Sequence, residues 1–144
     1  MASIDRYTPG NPVVIKGLEG ASQTSTFLAG DPVKFSAGYV VVATAGVMNG
    51  IARRNPTGTQ SSTIEVELID PNAVYSVRLS TGTTHAQTLV GTNVDFQFTT
   101  PGAMCMEDGT TDAYVVGLDE RDAVGTSGGR LLIRFHYGTL EAAD

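Results

Sequence analysis

No stretch of this chain sustains a helical period over ten residues; it repeats instead one unit, a short apolar run followed by a turn built on Gly, Pro or Asn/Asp. The stretch Phe27 to Ala52 states the rule most compactly. Ala29-Gly30-Asp31-Pro32 turns into Val33-Lys34-Phe35, Ser36-Ala37-Gly38 reverses it, and Tyr39 to Ala43 returns with β-branched residues. With Ala37-Gly38 as the loop, Phe35 pairs with Val40 and Val33 with Val42 on one side, Lys34 with Val41 and Ser36 with Tyr39 on the other. Both sides carry apolar groups, so this hairpin is covered by a second layer of its own domain or by another molecule.

The same grammar fills the rest of the chain. Thr63 to Leu79 predicts a second hairpin: Ile64, Val66 and Leu68 alternate with Glu65 and Glu67, and Tyr75, Val77 and Leu79 alternate with Ser76 and Arg78 across Asp70-Pro71-Asn72-Ala73. That register sets Glu65 against Arg78 as an outer ion pair. Thr92 to Thr100 alternates with Val94, Phe96 and Phe98 inward, and Pro101-Gly102 turns it into Ala103 to Met106. The acidic run 107–112 reads as the next hairpin loop, Ala113 to Leu118 as a strand, and Asp119 to Asp122 as one helical turn. Arg130 to Tyr137 is apolar enough to be a central strand, with Leu131, Ile133, Phe135 and Tyr137 on one face. The fold class is all-β, a small barrel or sandwich of antiparallel hairpins, with residues 1–20 as an extended N-terminal arm and 21–144 as one β domain. Pro9, Gly10 and Pro12 exclude a helix from the arm, which either reaches a partner or adds an edge strand to its own sheet; Gly17 and Gly20 bracket a loop after it. The loops Arg53 to Ser62 and Ser80 to Gly91 are polar, and the first is expected to protrude.

Chemistry-bearing patterns are sparse. A net charge of −6 with only two lysines, Lys16 and Lys34, argues against a nucleic-acid surface. One cysteine, Cys105, gives neither a disulfide nor a metal-ligand spacing and reads as a buried thiol between Met104 and Met106. The acidic run lacks the periodic ligands of a calcium loop, and Gly125 to Gly129 lacks the lysine of a phosphate loop. His85 is either a base acting on Ser80, Thr83 or Thr84, or a solvated loop residue; no local carboxylate orients it. No cofactor, metal or catalytic residue is assigned. The amino terminus has no apolar segment of signal-peptide type and no run reaches membrane-spanning length, so a soluble protein made in a cytoplasm is expected, with no membrane partner.

The order Ala29-Gly30-Asp31-Pro32-Val33, then Gly38-Tyr39-Val40-Val41-Val42-Ala43, then Gly50-Ile51-Ala52 resembles the opening β-segment of small capsid-decoration (cement) proteins of tailed bacteriophages. The resemblance spans Ala29 to Ala52, with a longer leading segment and a polar insertion as departures. It implies a virion protein on the capsid exterior that binds across joints between major capsid protein subunits as a dimer or trimer, with no nucleic acid bound. On that reading the contacts fall to Arg6, Tyr7, Val13, Val14 and Ile15 of the arm and to Tyr39 and Val41 of the first hairpin. Removing residues 1–11 is then expected to abolish capsid retention while leaving the fold intact. Arg130 and Arg134, on the second face of the last strand with Leu132 and His136, are a charge-complementary contact, or else pair with Glu65, Glu67 or Asp119 of the same chain. The other readings are a tail, fibre or host-surface binding module that uses the polar loops, and a hydrolase built on His85 or His136.

Overall fold

The computed structural model describes residues 3–23, 26–80, 83–98 and 100–141. The ends of the expected arm at 1–2, of the second polar loop at 81–82 and of the strand at 99 lie outside them. Among the described residues eleven strands form: β1 Ile4–Arg6, β2 Val14–Leu18, β3 Pro32–Ser36, β4 Tyr39–Val42, β5 Gly50–Ala52, β6 Thr63–Leu68, β7 Tyr75–Arg78, β8 Asn93–Gln97, β9 Cys105–Asp108, β10 Ala113–Leu118 and β11 Arg130–Phe135. A single 3₁₀ turn, Gln87–Leu89, and one helical turn, α1 Tyr137–Leu140, complete the described secondary structure. The fold is all-β, as expected.

The strands divide into a six-stranded sheet ordered β1-β7-β11-β10-β8-β9 and a five-stranded sheet ordered β2-β6-β5-β3-β4. All their pairings are antiparallel. Each sheet then curls into a five-stranded closure: Glu19, next to β2, bridges to Val40 of β4, and Leu79, next to β7, to Met106 of β9, both in parallel sense, with β1 outside the second ring. The sense follows from counting, because five alternating strands, β2 to β4 or β7 to β9, bring the first and last together pointing the same way. Small residues permit the first closure; a Cβ on Gly17 would lie 2.6 Å from Val40 Cγ2, and one on Gly20 2.7 Å from Val41 Cγ1.

Two apolar clusters result. Phe27, Val33, Val40, Ala52, Ile64 and Val66 fill the five-stranded ring. A larger cluster running from Ile4 to Leu140 fills the six-stranded sheet and the junction between the two, with Tyr75 edge-on to Phe135 at 5.5 Å. The strand β5 explains how one chain serves both: Ala52 faces the first cluster and Ile51, on the opposite side, the second.

The hairpin of β3 and β4 has the register read from the sequence, Val33 to Val42, Lys34 to Val41, Phe35 to Val40 and Ser36 to Tyr39. Ala37 (φ 49°) and Gly38 (φ 87°) form its two-residue turn in the left-handed region. β11 is central, as its composition requires, lying between β7 and β10.

Other expectations are corrected. Residues Thr63 to Leu79 are not a hairpin: β6 pairs with β2 and β5, β7 with β1 and β11, and the segment 69–74 carries the chain from one sheet to the other. Alternation cannot separate the two cases, since it shows that each strand has a buried row and not which core that row meets: Ile64 and Val66 lie in the smaller cluster, Tyr75 and Val77 in the larger. The buried Ile69 and Ala73 mark the corner, pinned by the Asp70 amide donating to Tyr75 Oη at 2.9 Å. Consequently Glu65 stands opposite Lys16 and Arg78 opposite Arg130, and the expected Glu65–Arg78 pair does not form.

The acidic run 107–112 is not a hairpin loop either. β9 and β10 both flank β8, so the chain crosses the outer side of β8, where Asp95 Oδ1 accepts from the amides of Thr111 (2.8 Å) and Asp112 (3.0 Å). Residues 119–122 make one hydrogen-bonded turn, the Asp122 amide donating to Asp119 O at 3.1 Å, but no helix, and the Asp119 side chain takes the amide of Arg121. Gly17 sits inside β2 rather than in a loop. Residues 53–62 do not simply protrude, because Pro56 is buried and the loop wraps the Glu19 carboxylate.

Within the expected arm, β1 extends the larger sheet and β2 the smaller. Ser3 is buried and donates from Oγ to the buried Asp31 carboxylate while accepting the Met104 amide at 2.9 Å. Residues 3–6 are therefore packed into the fold, which argues against the expectation that removing residues 1–11 leaves it intact.

Candidate functional site

Buried acids are the first place to look for chemistry, and here backbone amides consume them. Glu19, fully buried, accepts from the Thr57 amide (2.9 and 3.0 Å), Thr57 Oγ1 (3.0 Å), the Gly58 amide (3.1 Å) and Arg54 Nη1 (3.1 Å). Burial alone would raise its pKa; these bonds outweigh it and hold the carboxyl below its usual value. Asp112 takes the amides of Phe96 (2.9 Å) and Gly46 (3.0 Å), yet burial, with the nearby Asp95 charge, pushes its carboxyl up. Asp119 is clamped by Arg121 and accepts from Ser76 Oγ at 2.6 Å, which drives it well below the ordinary carboxylate range. Arg130 grips Asp122 through Nε (2.7 Å) and Nη2 (3.0 Å) and holds it at about 2. Each acid is taken up by amides, hydroxyls or an arginine; Asp122 also lines a small groove with Arg78, Gly128 and Arg130, where Arg130 already pairs with it.

The histidines do not form a catalytic set among the described residues. His85 is buried, not solvated as one reading of the sequence had it. Its amide and carbonyl join it to Thr126 and Gly125, its Nδ1 faces the Ala123 carbonyl at 3.2 Å, and its ring presses on Gly129. The glycine run is the mould for this ring, since a Cβ at Gly129 would lie 2.7 Å from His85 Cγ. Ser80 Oγ and Thr83 Oγ1 bond to each other at 2.9 Å rather than to the imidazole. His136 Nε2 faces Asn93 Oδ1 at 2.9 Å. Cys105 is half-buried, and burial followed by the Glu107 charge pushes its thiol up. Among the described residues no group of three or more His, Cys, Asp and Glu is placed to hold a metal ion.

The surface is more informative. Of the residues assigned to partner contact, Val13 is 60% exposed, with Val14 and Tyr7 also exposed, whereas Ile15 turns onto the smaller core. Tyr39 and Val41 are half-covered on the outer side of β4, where the chain at 19–23 folds over them: the Gly20 amide donates to Val40 O and the Val42 amide to Gln23 Oε1. Arg6 is held by Thr8 O at 3.1 Å and lies 3.6 Å from the Asp70 carboxylate. Arg130 pairs with Asp122 and not with Glu65, Glu67 or Asp119. Arg134 is exposed and donates through Nε (3.3 Å) and Nη2 (3.2 Å) to the Pro71 carbonyl.

These residues do not make one patch, but several gather round the 69–74 corner. On one side Arg6, Asn11 and Val13 join Leu68 to Pro71 around a groove of about 230 Å³. On the other, Pro71 and Asn72 wall a groove of about 440 Å³ with Tyr114, Arg134, Phe135, His136 and Tyr137. The sequence reading missed Tyr114 and Tyr137, exposed on β10 and α1. Their signal was available only in part: Tyr114 and Val116 alternate with buried Ala113 and Val115, but an all-apolar strand does not say which row faces water.

No family model, no curated protein and no solved structure matches this chain.

Proposed function

We propose that this chain is a structural virion protein, a capsid-decoration protein that binds the outside of an expanded phage head across joints between major capsid subunits, as a small homo-oligomer. The observation that carries the reading is the exposed apolar row at the start of the chain. Val13, Val14 and Leu18 stand in water on or beside β2, with Tyr7 also exposed, on an acidic body whose buried acids are all consumed by turns. Side chains of this kind gain most by being covered, and a shell presents the same cover many times over. A protein that recognises only the expanded arrangement stabilises it by mass action, and an oligomer multiplies modest contacts.

The test is co-sedimentation with expanded heads that lack this protein, with light scattering of the free protein to give its oligomeric mass. Saturable, stoichiometric binding that raises the melting temperature of the heads is expected. The Val13→Asp, Val14→Asp double variant should keep the free protein's melting temperature and lose retention. Absence of binding at saturating protein would overturn the proposal and turn attention to a tail or host-surface role.

A further inference from the structure

The seam that closes the smaller sheet is short, and it leaves much of one strand edge open. Along β2 the odd-numbered residues bond to β6: the Leu68 amide donates to the Val13 carbonyl and the Glu19 amide to the Ser62 carbonyl, each at 2.8 Å, on either side of the Ile15–Val66 and Gly17–Ile64 pairs. Val14 and Lys16 therefore turn their N–H and C=O groups the other way, toward the side where β4 lies. But β4 begins at Tyr39, which the Glu19–Val40 bridge sets level with Leu18. Residues 14–17 run on past the β3–β4 turn, and among the described residues nothing pairs with the outward backbone of Val14 or Lys16. No residue of β2 is buried, and Val13, just before it, is 60% exposed. Other edges are better covered: β1 gives its Ile4 amide to the Gly30 carbonyl at 3.2 Å, and β9 is bridged to Leu79 and takes the Ser80 amide.

Unpaired backbone in strand register selects another extended chain, and the length of the gap decides which. Tyr39 ends it at the level of Leu18, and Pro12, which has no N–H, ends it on the other side. A long strand would run into β4. We infer that a second copy of this chain fills the gap, β2 against β2 in antiparallel sense about a two-fold axis at Ile15. Val14 of each copy then exchanges both its backbone bonds with Lys16 of the other. Other registers fail. An axis at Lys16 or beyond brings the second copy level with Leu18, where Tyr39 stands, and an axis at Val14 sets Lys16 against Pro12, which has no amide to give. With the axis at Ile15, each Lys16 lies between its own Glu65 and the other copy's Val14, so its stem covers an apolar group and no like charges stand opposite each other. The two Ile15 side chains, each half-buried, meet at the axis. Only the residues ahead of Val13 have to turn aside from β4 of the second copy, and none of residues 7–13 belongs to a strand.

The inference needs no capsid: association is read on the free chain and head binding on heads, so either can fail alone. Sedimentation equilibrium of the full chain is expected to show a monomer–dimer equilibrium with a Kd of about 100 μM or tighter. Lys16→Pro removes the outward amide without touching the bonds to β6 and should weaken the dimer at least about tenfold, whereas Lys16→Ala keeps that amide and should not. Amide hydrogen exchange gives a second reading that needs no variant. Val14 and Lys16 are expected to become protected as the protein concentration rises through the Kd, while Ile15 and Gly17, bonded to β6, change little. A chain that stays monomeric to about 1 mM, equal association of the proline and alanine variants, or exchange at Val14 and Lys16 that ignores concentration would overturn the pairing and leave the gap to a strand of some other protein.

Discussion

At the scale of single residues, this protein spends its acids on backbone. Asp119 and Asp122 have pKa values lowered by Arg121 and Arg130 respectively, Asp122 to about 2. A lowered folded pKa stabilises above the unfolded value, about 3.9, and that stabilisation is lost as pH falls through the folded value. Asp112, pushed up by burial, runs the other way and is most favourable when protonated. Two lowered acids facing each other across the same turn outweigh it, so the urea midpoint is expected to hold from neutral pH to about 4 and to fall as pH approaches 2, with Asp122→Asn flattening the slope. A midpoint unchanged over that interval would contradict the assignment. Asp119→Ala, which strands the buried Ser76 hydroxyl, should cost about 1–3 kcal/mol in the same measurement. None of these roles was legible in the sequence. An acid followed by a turn looks alike whether it faces water or caps amides, and His85, set among small hydroxyl residues, gave no sign that distant Gly129 would bury it.

At the scale of elements, what is local was legible and what is distant was not. The turn at Ala37-Gly38 fixed its own register because a two-residue loop leaves one choice, and all four pairs agree. Ala37 holds φ 49° without the side-chain chemistry that favours it, so Ala37→Asn should stabilise by about 0.5–1 kcal/mol, read as a raised urea midpoint. The segments 69–74 and 107–112 defeated the same reasoning because a longer connection serves a hairpin, a corner or a crossover equally well, and only the partners of its flanking strands distinguish them. The exposed Val13, Val14 and Arg134 were singled out in the sequence, but the groove that gathers Arg134 with Tyr114 and Tyr137 was not, since it depends on that missed topology.

At the scale of the whole molecule, the first residues lock the two sheets together. Ser3 links the Asp31 carboxylate to the Met104 amide, Gly102 donates to the same carboxylate at 2.7 Å, and Ile4 is buried beside them. Deleting residues 1–11 is therefore expected to lower stability by more than about 3 kcal/mol in urea titration, from the lost isoleucine and the stranded acid together. Unchanged stability would return these residues to the status of a free arm. The short seam that closes the smaller sheet has its own consequence. A ring clasped between 17–23 and β4, by the Glu19–Val40 bridge, the Gly20 amide on Val40 O and the Val42 amide on Gln23, bares two strand edges at once when that seam opens, β2 and β4. Two opened copies can trade β2 and close again around each other, a dimer made by exchange rather than by any new surface. The tight fit of Gly17 against Val40 guards against that route, and a bulkier residue there would loosen the clasp and make strand trading a hazard of crowding.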